Sequence, residues 1–120
     1  MKVAVTAQGR ELTSQVDPRF GRSACFLIVD TESGDHQVLD NAQNLGAAQG
    51  AGVQAAQALI EQGVEAVLTG HCGPKAFRTL QAAGIEIYVG VTGTVQSALD
   101  GLQGGVHQRA SSPDVEGHWV

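Results

Sequence analysis

The chain is predicted to fold as an α/β domain with a mixed sheet, on three observations. Two strand-like runs, Cys25-Phe26-Leu27-Ile28-Val29-Asp30 and His36-Gln37-Val38-Leu39-Asp40, flank Thr31-Glu32-Ser33-Gly34, a hairpin signal that makes the strands antiparallel. Beyond residue 50, short apolar runs alternate with stretches of helical periodicity, the pattern of parallel strands joined by right-handed crossovers. With 120 residues, 42% of them hydrophobic and 16% charged, one such domain can bury a real core without disulfides or structural metal.

Each element has its own warrant. Lys2-Val3-Ala4-Val5-Thr6 alternates weakly and reads as the first strand. Ala7 to Arg22 is polar, contains Gly9, Pro18 and Gly21, and reads as loop. Connections longer than about 12 residues are uncommon in compact domains and tend to be functional or disordered. Here Asp17-Pro18-Arg19-Phe20-Gly21-Arg22 carries the turn formers of an ordered one. After the hairpin, Gly50 to Gln62 places Val53, Ala56, Leu59 and Ile60 at helical spacing, with Gly63 as C-cap. Ala66-Val67-Leu68-Thr69 reads as a buried strand that leads into the small-residue turn Gly70-His71-Cys72-Gly73-Pro74. Pro74 suits the first position of a helix whose apolar side is Ala76, Phe77 and Leu80. Ile85 to Val89 is a further strand, and Gly90-Val91-Thr92-Gly93-Thr94 leads to a helix carrying Val95, Ala98, Leu99 and Leu102. From Gly104 periodicity is lost, so the domain is placed at residues 1–105 and a mobile tail at 106–120, which holds Trp119 and the histidines His107 and His118, expected to be solvated.

Composition narrows the function classes. A formal net charge of −5 and 4% aromatic residues argue against nucleic acid as a partner. Two cysteines, a first strand that begins at Lys2, and no membrane-spanning run point to a reducing cytoplasm. No apolar surface stripe demands a second subunit, so a monomer is expected. The basic residues are unevenly placed: Arg10, Arg19 and Arg22 share one loop, while Lys75 and Arg78 follow Cys72. Were the two loops to meet, an acidic protein would hold a local positive pocket; otherwise these are scattered surface charges.

The Gly70 to Pro74 turn supports several chemistries. Its place before a helix favours a thiolate or a bound anion. As a zinc site it is short of ligands, with only His71, Cys72 and the distant Cys25 available, and adjacent side chains on extended backbone point apart. A metal–sulfide cluster is different, because it brings its own sulfides and charge and needs mainly N–H donors, cations and one soft ligand. Cys72 as a small buried packing residue is the plain alternative. The string from His71 to Thr79 also matches the His-Cys, five residues, Arg-Thr signature of cysteine-dependent phosphatases, in which the thiolate attacks phosphorus. Pro74 removes a cradle N–H, however, and a helix beginning there carries Arg78 a turn away. Gly50-Ala51-Gly52-Val53-Gln54-Ala55 resembles a dinucleotide fingerprint, but no parallel strand ends immediately before it.

Asp17-Pro18-Arg19-Phe20-Gly21-Arg22, the hairpin with Phe26 and Asp30, Asn44 before a Gly/Ala-rich helix, Gly63-Val64, Gly70 with Gly73-Pro74, and Gly84-Ile85 with Gly90 and Gly93 together resemble the dinitrogenase iron–molybdenum cofactor biosynthesis domain family. The likeness spans about residues 1 to 105. It implies a ribonuclease H-like α/β fold: a five-stranded mixed sheet in order 3-2-1-4-5, strand 2 antiparallel, with helices on both faces. It further implies a non-catalytic carrier of a metal–sulfur cluster, with cluster-assembly or recipient proteins as partners. Within the family, the His71-Cys72-Gly73-Pro74-Lys75 turn favours a molybdenum–copper sulfide, with an iron–molybdenum cofactor precursor as the other candidate cargo. The implied crevice lies at the carboxyl ends of strands 1 and 4. Arg19, Arg22, Gly70, His71, Gly73, Lys75, Gly90, Thr92, Gly93 and Thr94 would line it, and Cys72 would touch the metal. A thiol enzyme and a cluster-free protein-binding scaffold are the competing expectations.

Overall fold

The structure, a computed structural model, describes residues 1–41 and 51–113. Strand β1 (Lys2–Ala7) pairs antiparallel with β2 (Cys25–Asp30), and β2 antiparallel with β3 (His36–Asp40). On its other side β1 pairs parallel with β4 (Ala66–Leu68), and β4 parallel with β5 (Glu86–Tyr88). The order is β3-β2-β1-β4-β5, as the resemblance implied. Helix α1 (Ala51–Glu61) leads into β4, α2 (Pro74–Ala82) joins β4 to β5, and α3 (Val95–Gln103) follows β5. Among the described residues no helix is long and apolar enough to cross a membrane.

The two-residue period of the strands decides which helix each side chain meets. Ala4, Phe26, Ile28, Val67 and Ile87 face one side and pack with α1 and α2 through Leu59, Phe77 and Leu80. Val3, Val5, Leu27, Val29, Ala66 and Leu68 face the other side and pack with Val95, Ala98 and Leu99 of α3. Helices therefore cover both faces, which is why the central strands are almost wholly apolar.

Local signals explain most boundaries. Gly63 has φ +75°, its N–H and that of Val64 bond back to Ile60 and Leu59, and α1 ends there. Pro74 occupies the first turn of α2, and Thr94 caps α3 by accepting from the Ser97 N–H at 3.1 Å. The buried face of α1 differs from its predicted one. Ala51, Gly52, Ala55, Ala56 and Leu59 are buried, whereas Val53 and Ile60 are only half-buried. Small residues allow close helix approach, so they are selected here over the larger apolar ones that a hydrophobic pattern picks out.

The chain also stays docked past the predicted boundary at 105. His107 Nε2 lies 2.8 Å from the Ala98 carbonyl, Arg109 bridges to Tyr88, and the Ala110 N–H donates to Ile87 O at 2.7 Å. His107 is thus half-buried against α3 rather than solvated. Ala110 packs against the core, but the rest of the attachment is by backbone and polar groups, which leaves no apolar period to read. Asn44, Gly50, His118 and Trp119 lie outside the described residues.

Asp30 closes the hairpin, its carboxylate accepting from the N–H groups of Glu32 at 2.9 Å and Ser33 at 3.4 Å. These bonds hold its carboxyl below the usual carboxylate range. A depressed pKa stabilises the folded state above the unfolded-state value of about 3.9, and the contribution disappears as pH falls through the folded value. Asp30→Ala is therefore expected to lower the urea midpoint at pH 6, and the gap to the parent protein should close progressively below pH 4. Leu59→Ala, in the core between α1 and the sheet, should cost about 2–5 kcal/mol at any pH, measured by urea unfolding.

Candidate functional site

At the carboxyl ends of β1 and β4 the chain runs off in opposite directions, toward β2 from one strand and through α2 toward β5 from the other. Such a switch point is where open α/β sheets commonly place a ligand crevice. The connection from Gln8 to Ala24 folds back over it. Gln8 N–H donates to Gln15 O, Asp17 N–H to Thr6 O and Val16 N–H to Gly93 O, each at 2.8–2.9 Å. Ser14 O and Leu12 O accept from Val95 and Gln96 at the head of α3. The loop is ordered because its backbone groups find partners on every side.

The arginine segment then meets the cysteine-bearing turn. Arg19 forms a parallel bridge with His71, and the Phe20 N–H donates to His71 O at 3.2 Å. Gly70 has no Cβ for a steric reason: one built there would lie 2.6 Å from Pro18 O and 2.7 Å from Pro18 Cα. The third turn joins through Gly90 N–H to Gly70 O at 2.8 Å and Val91 N–H to Thr69 O at 3.1 Å. Three loops far apart in sequence are thus one hydrogen-bonded surface.

The predicted residues take distinct places on it. Arg19 and Lys75 are exposed and Arg22 and His71 half-exposed. Lys75 stands in the first turn of α2, where Gly73 is the N-cap without any side-chain cap bond. This end of α2 therefore offers N–H groups and a positive dipole end next to the basic side chains. Gly90 and Gly93 sit at φ +73° and +89°, backbone that side chains disfavour, and Thr92 is exposed between them. Gly70 and Gly73 are buried, and the Thr94 hydroxyl is engaged as the α3 cap.

Cys72, the expected metal contact, is 0% exposed and belongs to the core cluster with Phe20, Phe26, Ala76 and Phe77. The apolar surroundings explain the placement, since a thiol behaves as a small hydrophobe. The phosphatase pattern fails on geometry as well: α2 starts at Pro74, which puts exposed Arg78 in its second turn instead of closing a loop around Cys72. Cys25 is buried on the opposite face, its Sγ 3.2 Å from Gly9 O, and burial pushes its thiol up despite Arg10. Among the described residues no group of three or more His, Cys, Asp or Glu could hold a metal ion. The fingerprint-like Gly52 lies against the arginine loop, where a Cβ on Gly21 would lie 2.8 Å from its N and Cα, so the close approach requires glycine at position 21.

Sequence reasoning missed the polar groups beneath the site. Thr6, Thr69, Ser23 and Asn41 are all buried, and Asn41 Nδ2 donates to Gly21 O at 3.2 Å and Ser23 O at 2.8 Å on either side of Arg22. The threonines read as ordinary strand residues, and no motif singles out Asn41.

The family model described as dinitrogenase iron-molybdenum cofactor matches residues 1–105. The chain belongs to this family. Among solved structures similar to this member of the dinitrogenase iron-molybdenum cofactor family is the apo form of the orange protein from Desulfovibrio gigas. It is 41% identical, covers 95% of this chain and 96% of its own, and superposes with a TM-score of 0.93. A putative NifB protein from Thermotoga is 38% identical over 97% of this chain and 98% of its own, with a TM-score of 0.84. An uncharacterised protein of Methanocaldococcus jannaschii is 28% identical over 102 residues, 82% of each chain.

Two outcomes follow from the site geometry. Gly70→Ala should destabilise the protein by about 1–3 kcal/mol in urea unfolding, because the new methyl meets the Pro18 backbone. With a thiol reagent such as dithionitrobenzoate, neither Cys25 nor Cys72 should react appreciably in the native state, and both should react in denaturant.

Proposed function

We propose that this protein is a non-catalytic carrier of a compact anionic metal–sulfide cluster, held non-covalently in the crevice. The observation that carries the reading is the closure of the arginine loop on the Gly70 turn, which sets Arg19 beside His71 near the uncapped head of α2. Cations and N–H donors recognise charge and sulfide lone pairs without covalent ligation. A bare metal ion would instead need a set of soft or carboxylate ligands, which the described residues do not group together. A cluster that brings its own sulfides fits this donor set, and Arg19, Arg22 and Lys75 would balance its charge. Kinship with the orange protein and with a putative NifB protein supports cluster handling. We take a molybdenum–copper sulfide as the first candidate cargo and an iron–molybdenum cofactor precursor as the second. The sheet order, with β2 antiparallel, agrees with the ribonuclease H-like arrangement that the family resemblance implies. A cytoplasmic monomer that hands its cargo to an assembly or recipient protein completes the reading.

Anaerobic incubation with tetrathiomolybdate and copper, followed by desalting, tests it. Visible absorption, molybdenum and copper should co-elute with the protein. Retention should weaken about tenfold for Arg19→Ala or Lys75→Ala, the loss of about one charge-assisted hydrogen bond, and should fall with added salt. Cys72→Ala should retain the cargo, since its thiol lies in the core. No uptake, or uptake indifferent to both cations, would refute the carrier reading. Metal-free protein after native anaerobic purification would favour a scaffold, and aryl phosphate turnover lost in Cys72→Ser a thiol enzyme.

A further inference from the structure

Thr6 is the last but one residue of β1 and is 0% exposed, as is Thr69 just past the end of β4. Their Oγ1 atoms are 3.0 Å apart, buried beneath the loop at the carboxyl ends of the two strands. Thr6 Oγ1 also lies 2.7 Å from Asp17 O, in the loop above. A carbonyl only accepts, and a hydroxyl has a single proton, so Thr6 donates to Asp17 and Thr69 donates to Thr6. Asp17 is therefore held twice by one residue, through its own N–H to Thr6 O at 2.9 Å and through its carbonyl by the Thr6 hydroxyl.

The linkage continues outward. Asp17 is 7% exposed, and its Oδ1 accepts the Arg19 N–H at 3.0 Å, turning the carboxylate inward onto the backbone. Arg19 is bridged to His71, and Phe20 N–H bonds His71 O. One continuous path thus runs from the Thr69–Thr6 pair through Asp17 and Arg19 to the cysteine-bearing turn.

We propose that Thr6 is the positioning residue of the anion crevice: its buried hydroxyl ties the arginine loop to the strand floor, so that Arg19 stands against the Gly70–Lys75 turn before any cargo arrives. Preorganisation of this kind strengthens binding by removing the cost of ordering the loop. The consequence for cargo rests on the carrier reading above; the anchoring itself does not.

Thr6→Val keeps the shape and removes the hydroxyl, whereas Thr6→Ser restores it. In amide hydrogen exchange on the full chain, Thr6→Val should speed exchange at Asp17, Arg19 and Phe20 about tenfold or more relative to β2, and Thr6→Ser should not. Retention of tetrathiomolybdate with copper should weaken about tenfold in Thr6→Val and return in Thr6→Ser, a rescue that a purely volumetric role would not produce. Unchanged exchange in Thr6→Val overturns the proposal, and so does faster exchange with unchanged retention. If the parent protein takes up no thiomolybdate, the carrier reading fails, while the anchoring stands or falls on the exchange comparison. Should Thr6→Val not fold, Asp17→Ala breaks the next link and must speed exchange at Arg19; if it does not, the path is wrong.

Discussion

The architecture of this protein depends on one constraint: the backbone of the long connection between β1 and β2 crosses a switch point and must satisfy its polar groups there. Val16 does so on Gly93, Asp17 on Thr6 and Phe20 on His71. An unpaired buried amide costs as much as a lost hydrogen bond, so these partners oblige three loops to lie together. Gly70 permits the closest of these approaches, because Pro18 occupies the space a side chain would need. Arg19 is brought beside His71 of the Gly70 turn as a result.

That closure gathers exposed basic groups on an acidic protein. The net charge is −5, yet Arg19 and Lys75 are exposed near the head of α2, the positive end of its dipole. Local placement, not net charge, sets the potential that a small ligand meets. Cys72 contributes packing beneath this surface, where it joins Phe20 from the loop to Phe77 of α2 in one apolar cluster. The thiol that marks the turn in sequence thus helps fasten the arginine-bearing loop.

Much of the fold was legible before any coordinates. The hairpin, with Asp30 and Gly34 at its turn, was readable because turn chemistry is local. Ala76, Phe77 and Leu80 of α2 are buried as their spacing demanded. The rotated face of α1 was not, because Ala55 and Gly52 are buried by fit against neighbours and carry little hydrophobic signal. The docked segment at Arg109 and Ala110 was hidden for a related reason, since a bridge to Tyr88 uses backbone groups that every residue possesses. Within the site, Arg19, His71 and Lys75 stood out by type and spacing. Thr6, Thr69 and Asn41 did not, since buried hydroxyls and amides gain meaning only from partners far away in the chain.

The amino-acid order by itself determined the strands and helices, the antiparallel hairpin, the two loops rich in basic residues and the family to which the chain belongs. Periodicity, turn formers and caps act over a few residues, and a linear reading can see them. Tertiary structure alone decided that the Cys72 thiol faces the core and that Thr94 caps a helix. It alone also showed Thr6 and Asp17 joining the floor of the crevice to its rim. These outcomes depend on which faces of distant segments meet, and that is set by packing and by the need to pair every buried polar group.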